Sequence, residues 1–156
     1  MSLITVPKKI YVTAIASEGI TDLNAFDNCL IKIGLPQVSI IKLTSLLPKD
    51  IEVVNEPPNL PLGANVPAIY ISVTSCTPGE KIAAALAVGW TDAGPTLVAE
   101  FGARGIDKKQ AEKEALLRLK GMAQARNLRI IRQLTVSAEH IVEKCGCVLA
   151  IVAEVE

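Results

Sequence analysis

Thr44 and Ser45 stand side by side in the stretch SIIKLTSLLPKD (39–50), where an apolar strand runs into a proline turn. Two uses of such a pair are open. Hydroxyls at a strand end can satisfy backbone groups beside the bend. A serine hydroxyl can also attack the carbonyl just before it, moving the acyl group from nitrogen to oxygen and leaving an ester in the backbone. Loss of the α-proton then cuts the chain, and the dehydroalanine that remains hydrolyses to a pyruvoyl group. That chemistry asks for a strained turn, donors to the oxyanion and the rate advantage of an intramolecular attack. Read alone, the two residues favour the first use. Other routes to a reactive serine are closed: the chain has one His, and it carries no GxSxG, P-loop, HExxH or GxGxxG.

Several other side chains could do chemistry. In TLVAEFGA (96–103), strand alternation sets Leu97, Ala99 and Phe101 on one face and Val98 with Glu100 on the other. A solvated edge glutamate is the ordinary reading. A partly desolvated one stays protonated near neutrality and can donate a proton. Asp27, beside Phe26 on a predicted helix, is by default a surface aspartate. His140 in SAEHIV is a candidate base or a structural histidine. Lys42 alternates with Thr44 along the strand and receives no role. The four cysteines, Cys29, Cys76, Cys145 and Cys147, form no CxxC pair. One His near a CxC is poor zinc spacing, so they read as small packed residues with reduced thiols. No metal is expected.

The elements that must position these residues follow from pattern. Strands are predicted over 9–16, 37–45, 51–54, 68–76, 96–103, 128–142 and 145–155, the last two as a hairpin. Helices are predicted from Thr21 to Gly34, over 77–89 and over 107–127. The first buries Leu23, Phe26, Leu30 and Ile33. The second opens on a Thr77–Glu80 capping box, and the third is capped by Asp107 and Gln110. The proline-rich stretch 55–67 reads as loop. The whole, 1–156, reads as a single α+β domain with helices on the outer faces of packed sheets.

Half of the 156 residues are hydrophobic and only 3% aromatic, so the core is aliphatic. The apolar excess hints at a homo-oligomer. Charges balance to a net of +0. No electrostatic case exists for nucleic acid or an anionic membrane surface. No segment reaches the length of a membrane span and the first residues do not resemble a signal peptide, so a cytoplasmic location is expected.

Taken together, SEG with LNAFDN (17–28), IIKLTSLLP (40–48), LPLGANVPA (60–68), PGEKIAAALAV (78–88), VAEF (98–101) and EHIVEKCGCVLA (139–150) resemble the pyruvoyl-dependent arginine decarboxylases. The blocks occur in order from about residue 10 to 153, and LNAFD and TSLLP are the strongest. The resemblance implies a four-layer αββα sandwich with mixed sheets. It implies cleavage between Thr44 and Ser45 into a β chain, 1–44, and an α chain, 45–156, with Ser45 becoming the pyruvoyl cofactor. It implies trimers, or pairs of trimers, of such αβ units, with active sites between neighbouring subunits. The implied reaction turns a small amino-acid substrate, L-arginine, into agmatine and carbon dioxide through a Schiff base. Glu100 matches the family's proton donor and Asp27 its substrate-binding aspartate.

Two positions depart from the family pattern. Ser39 stands six residues before Ser45, where the family carries an asparagine that assists cleavage. Serine still donates a hydrogen bond, with shorter reach, so Ser39 is a candidate processing helper. Thr44 stands where serine is commoner. Both bear on the rate of maturation. Two other readings stay open: the same cofactor acting on lysine or ornithine, and an unprocessed trimeric binding or interaction subunit.

Overall fold

The computed structural model describes residues 4–156. Strand β1 (Lys9–Gly19) pairs antiparallel with β9 (Cys145–Glu154), which pairs antiparallel on its other side with β5 (Asn65–Ser75). Two short strands join this sheet in parallel: β4 (Glu52–Val54) beside β1 and β2 (Ser39–Lys42) beside β5. The strand order is β2-β5-β9-β1-β4. A second, wholly antiparallel sheet is built from β3 (Leu46–Leu47), β7 (Thr96–Arg104), β6 (Lys81–Thr91) and β8 (Ile130–Ile141), in that spatial order. Helix α1 (Asp22–Lys32) packs on the first sheet and α2 (Lys108–Ala125) on the second. Three apolar clusters fill the spaces between the layers, the largest lying between the sheets around Ile69, Leu86, Val98 and Val148. The protein is therefore α+β, with helix, sheet, sheet and helix stacked as four layers.

Both helices start where their caps predict. The Thr21 hydroxyl accepts from the Asn24 amide at 3.2 Å, and Asp107 with Gln110 forms a reciprocal capping box. The buried face of α1 keeps Leu30 and Ile33, with Phe26 packed beside them, but not Leu23. Leu23 is 72% exposed, while Ala25 and Cys29 are fully buried. The helix lies so close on β1 that small residues must make the contact: a Cβ on Gly19 would sit 2.4 Å from the Ala25 nitrogen.

The segment predicted as a helix over 77–89 is instead a turn followed by β6. Gly79 has φ +85°, and the Glu80 amide donates to Thr77 O at 3.1 Å. Every residue from Ile82 to Thr91 is buried, because both faces of β6 are covered. A strand covered on both faces reads as an unbroken apolar run, and its alanines imitate helix propensity. The period of two survives in side-chain size. Ala83, Ala85 and Ala87 face α2, while Leu86, Val88 and Trp90 face the other sheet. Gly89 continues the small face, and a Cβ there would lie 3.1 Å from Leu119 Cδ2. This face admits nothing larger, so Ala85→Leu is expected to destabilise the fold by about 1–3 kcal/mol in urea titration. An unchanged midpoint would mean that the α2–β6 contact is loose.

The last two strands form no hairpin. β8 ends at the edge of the second sheet, and β9 starts in the middle of the first. The link between them crosses layers, with Val142 buried between the sheets. The predicted strand over 37–45 is shorter, Ser39–Lys42. β2 stops at Lys42, and β3 begins at Leu46 in the other sheet.

The cysteines split into two kinds. Cys29 and Cys147 are free and buried between α1 and the first sheet. Cys76 and Cys145 are joined in a disulfide, against the expectation of reduced thiols throughout. Register is the physical cause: Ser75 pairs with Gly146, so the next antiparallel pair sets Cys76 opposite Cys145.

Candidate active site

Leu43, Thr44 and Ser45 carry the chain from the edge of one sheet to the edge of the other. The Leu43 amide donates to Ala68 O at 2.8 Å, closing the first sheet's side of the crossing. Ser45 sits at a bend, and its carbonyl accepts from the Val98 amide at 2.9 Å on the second sheet's side. Leu46 then pairs with Leu97, and the Thr96 hydroxyl donates to Pro48 O at 2.9 Å. The crossing is thus pinned at both ends, while Thr44 between them is exposed and Ser45 half-buried.

Glu100 lies two residues beyond Val98 on β7. That is about 6.6 Å along the strand on the same face. Leu97, Ala99 and Phe101 pack toward α2, so Val98 and Glu100 point between the sheets, as alternation requires. Arg118 of α2 holds this point from outside, donating to Glu100 O at 3.3 Å with its guanidinium 4.7 Å from the Phe101 ring. Among the described residues, Glu100 Oε2 is the one buried side-chain polar atom without a hydrogen-bond partner. Burial pushes the Glu100 carboxyl above its ordinary range, and the positive charges of Lys42 and Arg118 only partly oppose this. An acid left buried and unpartnered is costly for stability and suited to proton transfer.

The remaining candidates lie elsewhere. Asp27 is exposed on α1, in the outer layer beyond the first sheet, and among the described residues it has no ion pair or side-chain hydrogen bond. Its neighbour Phe26 meets the Tyr70 ring at 6.1 Å, and Lys42 Nζ sits 4.6 Å over that same ring. Ser39 is exposed at the start of β2, three strand steps behind Lys42, or about 10 Å. Within one chain, Thr44, Ser45 and Glu100 share one region, and Asp27 and Ser39 are outside it.

His140 belongs to the opposite end of the sandwich. Its Nε2 lies 2.6 Å from Glu18 Oε2, and the Lys144 and Glu143 amides donate to the same carboxylate at 2.7 and 3.3 Å. This knot ties β1 to the crossing between β8 and β9. A Cβ on Gly146 would come within 2.6 Å of Glu18 Oε2. Burial pushes the Glu18 carboxyl up, but the two amides and His140 outweigh it and hold the group below its ordinary value. A carboxyl lowered by folding stabilises above the usual carboxylate range, and that contribution is lost as pH falls from there through the lowered value. Glu18→Gln is therefore expected to cost about 1–2 kcal/mol near neutral pH, with the difference from wild type shrinking in acid. Denaturant titration at the two pH values checks the sign. A difference that grows in acid would contradict it.

Sequence reasoning passed over Glu154. It ends β9 in phase with Val148, Ala150 and Val152, which all face between the sheets. A charged residue in step with inward apolar ones was the available signal. Burial pushes its carboxyl up as well.

A hydroxyl pair pinned at a crossing between stacked sheets, with an unpartnered acid on the adjoining strand, is equipment for carbonyl and proton chemistry on a small substrate. Comparison with known proteins agrees. A sequence profile described as pyruvoyl-dependent arginine decarboxylase matches residues 9–156. Proteins of that name are 40% identical over 121 residues in Pyrococcus furiosus (76% of this chain, 75% of that one) and 36% identical over 149 residues in Methanocaldococcus jannaschii (94% and 89%). Another from Methanothermobacter thermautotrophicus is 35% identical over 144 residues (92% and 94%). The chain belongs to the pyruvoyl-dependent arginine decarboxylase family, a family of enzymes. The family name specifies a pyruvoyl group, and two features here suit one made from Ser45. The serine sits at a bend whose carbonyl is already anchored, and the orphaned Glu100 oxygen lies two residues from that anchor.

Proposed function

We propose that this chain cuts itself between Thr44 and Ser45 and then decarboxylates L-arginine to agmatine and carbon dioxide. The observation that carries the reading is the unpartnered, buried Glu100 Oε2 on the strand that anchors Ser45. In the precursor, the Ser45 hydroxyl attacks the Thr44 carbonyl. Val98 holds the Ser45 carbonyl still, so attack competes with little backbone motion. Ser39, at the start of β2, serves as a helper to the cut by steadying the strand that leads into the crossing, not by touching the scissile carbonyl. The pyruvoyl group supplies a ketone that takes the substrate amine and accepts the electron pair released with carbon dioxide. Glu100, whose carboxyl burial raises above its ordinary range, delivers the proton to the carbon that has lost its carboxylate.

Asp27 holds the substrate guanidinium, because a carboxylate matches that planar cation in a paired geometry. Asp27 sits in the outer layer of its own chain, so the proposal brings it from a neighbouring copy in a homo-oligomer, a trimer or pair of trimers. Ile41 and Leu46, on either side of the scissile pair, are 47% and 45% exposed, which favours a subunit contact there.

Intact mass under denaturing conditions, before and after borohydride, tests the cut and the cofactor. Two fragments divided after Thr44, the larger blocked to Edman degradation and shifted by reduction, are expected. One uncut chain would sink the proposal. Carbon dioxide release from labelled arginine, lysine and ornithine then tests the substrate. Arginine should be preferred, and equal rates would remove Asp27 from the reading.

A further inference from the structure

Two strands carry acids near the crossing segment. Glu100 reaches in from β7. From β9, Glu154 lines a cavity of about 310 Å³ together with Leu43, Thr44, Leu47, Pro48 and Pro67. Thr44, whose carbonyl must be attacked, is therefore a wall of the cavity that holds the Glu154 side chain. Among the described residues, Glu154 makes no ion pair and no side-chain hydrogen bond, and its surroundings keep the carboxyl neutral to higher pH than usual. Charged groups on the neighbouring elements are engaged elsewhere or point away. Lys9 of β1 pairs with Glu156 at 3.0 Å, with Glu52 of β4 adding to its surroundings. Lys42 of β2 sits over Tyr70, Lys49 pairs with Asp50, and Arg132 of β8 stacks on Trp90.

We propose that Glu154 is a processing residue, its carboxyl donating a hydrogen bond to the Thr44 carbonyl oxygen across the cavity they share during self-cleavage. The inference rests on the proposed cut at Thr44–Ser45. In that step the Ser45 Oγ–C bond forms, negative charge gathers on the Thr44 oxygen, and the C–N bond breaks as the hydroxyl proton passes to the Ser45 nitrogen. Glu154 keeps its proton throughout. Its O–H dipole stabilises the oxyanion, as a neutral acid in an apolar site does elsewhere. Elimination then breaks the ester Cβ–Oγ bond, the Cα proton is lost, and Thr44 leaves as a carboxylate. Water converts the dehydroalanine to the ketone and releases ammonia. Ser39 lies at the start of β2, three strand steps behind Lys42, while Glu154 and Thr44 line one cavity, so β9 offers the oxyanion a donor of its own.

The test follows cleavage of freshly made full-length precursor by denaturing mass spectrometry. Glu154→Ala is expected to slow cutting about 100- to 1,000-fold, the usual effect of removing one oxyanion donor. Glu154→Gln keeps a donor of similar length and should cut within about tenfold of wild type. Once matured, both variants should release carbon dioxide at the wild-type rate per pyruvoyl group. Thermal unfolding of each precursor controls for folding. Wild-type cutting in the alanine variant would overturn the inference, and so would a glutamine variant that folds yet cuts as slowly as alanine. A slowed decarboxylation per pyruvoyl group would move Glu154 to the other reaction and overturn it too. A wild-type chain that never cuts removes the self-cleavage reading itself, and this inference with it.

Discussion

A Ser45→Ala chain should remain one polypeptide of 16.6 kDa and release no carbon dioxide from arginine. No other group can replace the missing hydroxyl. Attack on the Thr44 carbonyl requires a nucleophile one residue on, already within bonding reach, and a solvent molecule lacks that advantage by many orders of magnitude. Fold loss would not explain the result, because Ser45 makes its described contacts through its backbone: its carbonyl bonds to Val98 whatever the side chain is. The variant should therefore unfold within about 0.5 kcal/mol of wild type, as substitutions away from packed features do. Thr44→Ala supplies the contrast. Thr44 gives the cut only its carbonyl, and its exposed side chain has no described partner, so this variant should still mature. Denaturing mass spectrometry of both, beside a carbon dioxide assay, separates the outcomes. A Ser45→Ala chain that still splits after Thr44 would place the nucleophile elsewhere.

The architecture was legible wherever a local signal matched a local cause. Thr21 and Asp107 cap helices because their side chains reach the third amide onward. The inward aim of Glu100 follows from alternation alone. The failures share a different origin, in burial by elements distant in sequence. β6 looked helical because α2 covers one face and a second sheet the other, so the pattern that marks a half-buried strand is erased. The small-large alternation of Ala85, Leu86, Ala87 and Val88 was the residual clue. β8 and β9 looked like a hairpin because a two-layer crossing and a tight turn share short, polar links. Here the link is fixed by Glu18, more than a hundred positions earlier, which no local window includes.

The candidate site shows the same division. Read alone, Thr44 and Ser45 favour a strand end and Glu100 a solvated edge; they stood out as candidates through the family resemblance of their stretches, which the fold brings close together. Glu154 did not, since its meaning depends on which segment crosses in front of it. Asp27 is the converse case. Its stretch is distinctive, yet one chain holds it in an outer layer away from the crossing, so its proposed work depends on assembly. A dimensionless list of motifs treats all of these alike; the layers do not.

Glu100→Gln should mature normally and then lose about 10²- to 10⁴-fold in kcat, with KM for arginine little changed. Glutamine fills the same space between the sheets but has no proton to give at the required step. Substrate binding is assigned to Asp27 and the ketone to Ser45, so neither KM nor the pyruvoyl content should follow kcat down. The pH profile sharpens the test. Burial raises the Glu100 carboxyl, so the donor stays protonated past the ordinary carboxylate range, and the wild-type rate should fall as pH rises through that raised value. The glutamine variant should lack this descending limb. Stability should move the opposite way from activity. A carboxyl raised by folding contributes most at low pH, where it is neutral in both states, and its burial penalty appears as pH rises and the acid must ionise. Replacing it with a neutral amide removes that penalty, so Glu100→Gln should unfold at an equal or higher temperature than wild type above neutrality, the usual relation between a functional strain and its removal. A variant that keeps both kcat and the descending limb would show that the proton comes from another group. One that melts early would show that Oε2 has a partner in the assembled protein, and that the acid is structural.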